Sequence, residues 1–225
     1  LHVHVVTANM TRAASDGRWL SLANPRRESP LLREAKATGY VFQAVLRSEL
    51  PARLAELGLG VSWGPVTNGY ADLEGFSRPL IDHFSRRRGE IVEEMQRRGA
   101  DSAAAAEVAA YRTRDAKDYG VDPDRQRSEW RSRAAEFGLT GAALDRLLRG
   151  GRRRSARPPG ERDLDKALAS LEATHSHFDR RDLLCAIADR ARDGASAHQL
   201  EAAVEAVLSG PRVVEIHRGE GLLGT

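Results

Sequence analysis

Apolar side chains alternate from Leu1 to Met10, which places His2, His4, Val6 and Ala8 on one face of a strand and Leu1, Val3, Val5 and Thr7 on the other. Both faces are largely apolar, so the pattern predicts a central strand. Asp16-Gly17 predicts a hairpin turn with a returning strand over residues 18–22, and Pro25 and Pro30 close that sheet segment. From Ser29 the spacing becomes helical: Leu32, Ala35, Tyr40, Val41, Ala44, Val45 and Leu50 recur at threes and fours until Pro51, where a helix is expected to stop. A second short helix is expected through Leu54 and Leu57. Asn68-Gly69 predicts a second hairpin, joining strands over 61–63 and 70–73.

Strand signals fade after Pro79, and helical periodicity takes over in 80–98, 102–118, 124–137 and 141–149. Residues 150–160 hold glycines, prolines and clustered arginines with nothing apolar larger than alanine, a composition that cannot pack a core. Further helices are expected near 163–174, 180–193 and 197–208, with a strand over 213–216. The predicted fold class is α+β: part of an antiparallel sheet carrying a His-hydrophobic-His strand, then a helical subdomain, then a second mostly helical segment. The corresponding segments are 1–98, 99–149, a linker over 150–162, and 163–225.

Composition narrows the function classes only a little. The chain has 225 residues, 30% of them charged, with a formal net charge of +3. Arginines gathered in short clusters suit phosphate contacts and equally suit a solvated surface. No apolar run approaches the roughly 18 residues of a membrane helix, so a soluble, cytoplasmic chain is expected. The single cysteine, Cys185, sits in an apolar helical pattern and reads as a buried structural thiol.

His2-Val3-His4 is the main candidate for chemistry. Residues two apart on a strand lie roughly 6.5–7 Å apart and point the same way, so their imidazoles can converge on one cation. Two ligands do not complete a site, and two histidines on a sheet face can also be structural. His175 and His177 form a second His-x-His at a helix start and read as incidental. Arg114 and Lys117 lie three apart and share a helical face with Thr113 beside them, whereas Arg86, Arg87 and Arg88 fan around a helix. These are candidate phosphate contacts. Trp19, Trp63, Trp130 and Tyr40 can stack on bases or fill cores. Two other readings stay open: a different His-x-His metal-dependent hydrolase, and a non-enzymatic helical module that binds single-stranded DNA. The hydrolase needs another ligand on a later strand, but His83, His198 and His217 fall in helical or terminal contexts.

The run Leu1-His2-Val3-His4-Val5-Val6-Thr7-Ala8-Asn9-Met10, followed by Asp16-Gly17-Arg18-Trp19, resembles the histidine strand and hairpin of conjugative relaxases of the TraA/TrwC (MobF) family of HUH endonucleases. The resemblance continues through Thr38 to Leu50, Val61 to Gly69, Phe84 to Arg88, Tyr111 to Asp122 and Glu129 to Ala134. It implies a metal-dependent DNA relaxase that nicks one strand at a plasmid origin of transfer during conjugation and binds it covalently. His2 and His4 match two of three histidines that hold a divalent ion, magnesium or manganese. The third histidine, a supporting acidic residue and the nucleophilic tyrosine are expected upstream of Leu1, so this fragment is expected to be inactive by itself. Single-stranded DNA at the origin is the implied partner, contacted by Thr113, Arg114, Lys117, Arg86 and Arg87, with components of the conjugation machinery possible. The resemblance makes 1–98 part of the relaxase sheet-and-helix region and 99–149 its fingers-like helical part. Residues 163–225 resemble the start of a helicase-like domain on the run Thr174 to Leu183, although no Gly-Lys-Ser or Gly-Lys-Thr loop for ATP phosphates occurs.

Overall fold

A computed structural model of the chain describes residues 10–21, 33–114, 120–151, 156–216 and 222–224. The expected His2-His4 strand and residues 22–32, with Pro25 and Pro30, lie outside the described residues. The hairpin at Asp16-Gly17 is present. Strands β1 (Met10–Arg12) and β2 (Trp19–Ser21) pair antiparallel with Thr11 opposite Leu20. Gly17 takes φ 71°, a left-handed conformation that costs glycine little, and the Arg18 backbone and guanidinium both bond the Asp16 carboxylate.

Helix α1 (Ala35–Glu56) runs straight through Pro51 instead of ending there. A proline inside a helix removes the N–H that would bond the carbonyl four residues earlier, here that of Arg47. That carbonyl accepts from Trp63 Nε1 at 3.0 Å instead, so the lost helical bond is replaced by a tertiary one. The separate helix expected through Leu54 and Leu57 is therefore the last turn of α1. Asn68 and Gly69 adopt φ 52° and 81°, as a two-residue hairpin turn requires. The strands expected on either side are not formed; Thr67 bridges Tyr70, and Gly64 N–H donates to the Asp72 carbonyl at 2.9 Å.

The single helix expected over 80–98 is two, α2 (Arg78–Phe84) and α3 (Arg86–Arg97), broken at Ser85. α4 (Ala103–Arg112) stops short of the expected residue 118, α5 spans Pro123–Glu136 and α6 spans Gly141–Gly150. Ser77, Ser102, Asp122 and Thr140 each accept a backbone N–H in the first turn of the helix they precede, satisfying donors that have no partner inside the helix. Of the linker expected over 150–162, Gly150 ends α6, Glu161 and Arg162 open the next helix, and residues 156–160 form no helix or strand. Then come α7 (Glu161–Glu172), α8 (Arg180–Arg190) and α9 (Ala197–Leu208), and β3 (Val214–Ile216) pairs antiparallel with β4 (Leu222–Gly224).

The chain forms two compact units whose borders cut across the four segments expected from the sequence. One comprises Leu1–Leu57, Ser62–Asp72 and Arg153–Thr225, the other Gly58–Val61 and Leu73–Arg152. The first unit is built on Leu168, Phe178, Leu183, Ile187, Leu200 and Val204, joined by Ala44 of α1. Burying such side chains contributes on the order of 1.5–3 kcal/mol each. Helices α7, α8 and α9 thus share a core with α1. The reason is Gly194: its φ of 85° and its close approach to the α1 backbone at Ala44 and Ser48 seat the α8–α9 loop on that helix, where Ala195 N–H donates to the Ala44 carbonyl at 3.2 Å. The second unit buries Leu80 and Ala109, and it joins its first strand-like residues to α6 through Gly60 N–H to Leu148 carbonyl at 2.6 Å.

Candidate nucleic-acid interface

Of the candidate phosphate contacts, Arg87 and Thr113 meet in the second unit. Arg86 and Arg87 occupy the first turn of α3, while Thr113 and Arg114 follow the last turn of α4. Thr113 Oγ1 donates to the Ala109 carbonyl at 2.8 Å. Arg87 reaches across to the end of α4, donating to the carbonyls of Ala110 and Thr113 and lying 3.0 Å from Thr113 Oγ1. Its other neighbour is Glu90, at 3.8 Å. A guanidinium at a helix C-terminus balances the negative end of the helix dipole, so Arg87 stabilises α4. The geometry brings Arg87, Thr113 and Arg114 together. Lys117 lies outside the described residues, as do His2 and His4. Beside this cluster Tyr111 is 84% exposed, an aromatic face available for stacking.

Metal ligation finds no second home here. Among the described residues no three His, Cys, Asp or Glu side chains are grouped to hold an ion. His83 is engaged otherwise: its Nε2 accepts from Arg133 Nε at 3.1 Å and its ring packs on Phe137 at 4.7 Å. His175 and His177 face Thr174 and Ser176 hydroxyls at 2.7 and 3.0 Å, in keeping with an incidental pair. Cys185 is buried, and burial pushes its thiol up, away from the thiolate. Trp63 is core, whereas Trp19 and Trp130 are exposed. Among the described residues no helix is long and apolar enough to cross a membrane.

Sequence reading missed the most deeply placed charge of the first unit. Arg47 is fully buried on α1. Its guanidinium donates to the carbonyls of Gly69 at 2.6 Å, Ala188 at 3.0 Å and Ala191 at 3.3 Å. Burial pushes it below its ordinary value, and the charge of Asp189 works the other way. Asp189 in turn accepts the Gly69 N–H at 2.7 Å. One arginine and one aspartate therefore clasp the Asn68-Gly69 turn to the end of α8. The signal was present in the spacing: Arg47 lies three residues after Ala44 and four before Pro51, on the buried face of α1.

The TrwC relaxase family model matches residues 1–137. No curated protein matches the chain. Similar solved structures include the conjugative relaxase TrwC in complex with oriT DNA in a metal-free form, at 32% identity over 58% of this chain and 44% of that one, with a TM-score of 0.43. TrwC complexed with a 27-mer DNA comprising the recognition hairpin and the cleavage site matches at 32% identity over 58% and 44%, TM-score 0.42. A metal-bound TrwC–oriT complex matches at 33% identity over 58% and 42%, TM-score 0.42. This chain thus spans less than half the length of the solved relaxases it matches. With more than half of its residues matched by the family's sequence pattern, the chain belongs to the TrwC relaxase family.

Proposed function

We propose that this chain is part of a metal-dependent DNA relaxase that nicks one strand at a plasmid origin of transfer, in the cytoplasm, and stays covalently joined to it during conjugation. The observation that supports this reading is the family match over residues 1–137, which takes in both His2-Val3-His4 and the stretch from Thr113 to Lys117. The TrwC relatives bound to oriT DNA support a DNA partner, and the metal-bound one supports a cation.

His2 and His4 are the donors assigned to the ion, because neutral imidazoles suit divalent metals and the described residues offer no rival cluster. A bound cation there supplies neutralisation of charge on a phosphate oxygen. The work of this chain's own residues is to hold and orient the strand. Arg114, Lys117, Thr113 and Arg86 are assigned to backbone phosphates in this reading. Arg87 contributes its charge while its donors hold the end of α4. Residues 163–225 form the start of a helicase-like segment in this reading. With no phosphate-binding Gly-Lys-Ser or Gly-Lys-Thr loop, the chain does not hydrolyse ATP by that route.

The test is equilibrium binding of a single-stranded oligonucleotide carrying a recognition hairpin and cleavage site, with a denaturing gel run on the same mixtures. Affinity is expected to fall steeply with salt, and Arg114→Ala with Lys117→Ala to flatten the slope by about 1.4, since each single-strand phosphate contact is worth about 0.7. The 225 residues by themselves are expected to form no covalent adduct with the oligonucleotide. An unchanged slope, or an adduct formed by this chain, overturns those assignments.

A further inference from the structure

Outside the family-matched residues, the first unit contains a cleft of about 440 Å³ where the chain enters α7 and leaves α8. Its walls carry Arg157, Arg190 and Arg192 together with Asp163 and Asp193. Three guanidiniums against two carboxylates leave positive charge in excess.

The three arginines are held in different ways. Arg192 Nη2 donates to the Trp63 carbonyl at 3.3 Å, which fixes its position. Arg157 stands 3.9 Å from Asp163 with its side chain 80% exposed, a pair of little energetic weight that yields readily to a stronger anion. Arg190 is exposed at the end of α8, and no described hydrogen bond or ion pair holds its guanidinium.

The end of a helix ordinarily repels an anion, because its last carbonyls carry the negative end of the dipole. Here those carbonyls are covered from behind. Buried Arg47 donates to Ala188 and Ala191, and Ala191 itself lines the cleft. Arg47's charge is largely met by Asp189, so its part here is to occupy these carbonyls, and the positive excess of the cleft comes from its own three arginines.

We propose that this cleft binds a backbone phosphate of single-stranded DNA, with Arg157 and Arg190 closing on it and Arg192 as the fixed contact. A narrow concavity lined by arginines suits one strand, whereas a duplex needs a broad surface. The site lies outside the family-matched residues, and it rests on the DNA-binding reading above.

The experiment measures binding of fluorescent oligothymidylate to the 225-residue chain across a salt series. Arg157→Ala and Arg190→Ala are each expected to weaken binding about fivefold at 0.1 M salt and to flatten the salt slope by about 0.7. Arg190→Lys should recover most of the loss, since a phosphate accepts a point charge. Both alanine variants should unfold at the wild-type temperature, because neither side chain is buried. Wild-type binding by both variants, together with weakened binding by Arg114→Ala with Lys117→Ala, overturns the cleft and leaves the DNA reading standing. Failure of the unaltered chain to bind overturns both. Tight binding of inorganic pyrophosphate that Arg190→Ala abolishes, with oligonucleotide affinity unchanged, overturns the cleft as a DNA site in favour of a small-anion site.

Discussion

Arg47 and Arg190 show how far the environment decides what an arginine does. The first is sealed against three carbonyls and the second stands in solvent at the mouth of a cleft. Removing Arg47 leaves the carbonyls of Gly69, Ala188 and Ala191 buried without that partner, and each such group costs about 1–3 kcal/mol. Arg47→Ala is therefore expected to lower the unfolding free energy by about 3–5 kcal/mol in denaturant titrations. Arg47→Lys should rescue little, because one ammonium cannot span three acceptors arranged for a planar fork. A midpoint within about 0.5 kcal/mol of wild type, the range of an ordinary surface change, would show that the clasp is idle. In sequence Arg47 was one charge among many, and only its position on the face shared with Ala44 and Pro51 set it apart.

Among the elements, α8 is the most firmly started. Asp179 accepts the backbone N–H of Arg181 and Asp182 at 2.8 and 3.0 Å, and Asp182 returns the favour by accepting the Asp179 N–H at 3.1 Å. Burial pushes the Asp179 carboxyl up, but the Arg181 guanidinium and the two backbone N–H groups outweigh it and hold the carboxyl below its ordinary 3.8. A carboxylate with a depressed folded-state value contributes stability that is fully present above pH 3.8 and is lost as pH falls through the lower folded value. Asp179→Ala is expected to cost about 1–2 kcal/mol at pH 7 and to flatten the loss of stability as pH falls below 3.8. An acid limb as steep as that of wild type would place its origin in other carboxylates. The cap went unread in the sequence although Asp179 directly precedes the helical pattern that starts at residue 180. The passage of α1 through Pro51 was not legible, since the replacement donor is Trp63, a residue outside the helix whose approach no local pattern encodes.

For the molecule as a whole, periodicity found the helices but not their partners. Residues 156–160 form no helix or strand, yet the helices that follow pack on α1 and not apart from it. The small residues Ala44, Gly194 and Ala195 let α1 meet the α8–α9 loop at close range, and that meeting depends on shape, which hydropathy does not carry. Family membership was legible in the runs from Leu1 to Met10 and from Tyr111 to Asp122, while the cleft of the three arginines drew no notice because its members are far apart in sequence. The metal assignment to His2 and His4 is the claim on which relaxase chemistry most depends. Titrating the chain with Mn²⁺ while recording the ring-proton resonances of its seven histidines reads this directly. The resonances of His2 and His4 are expected to broaden first and together, and His2→Ala should abolish the effect at His4; uniform broadening of all seven, or first broadening at His175 and His177, would contradict the assignment.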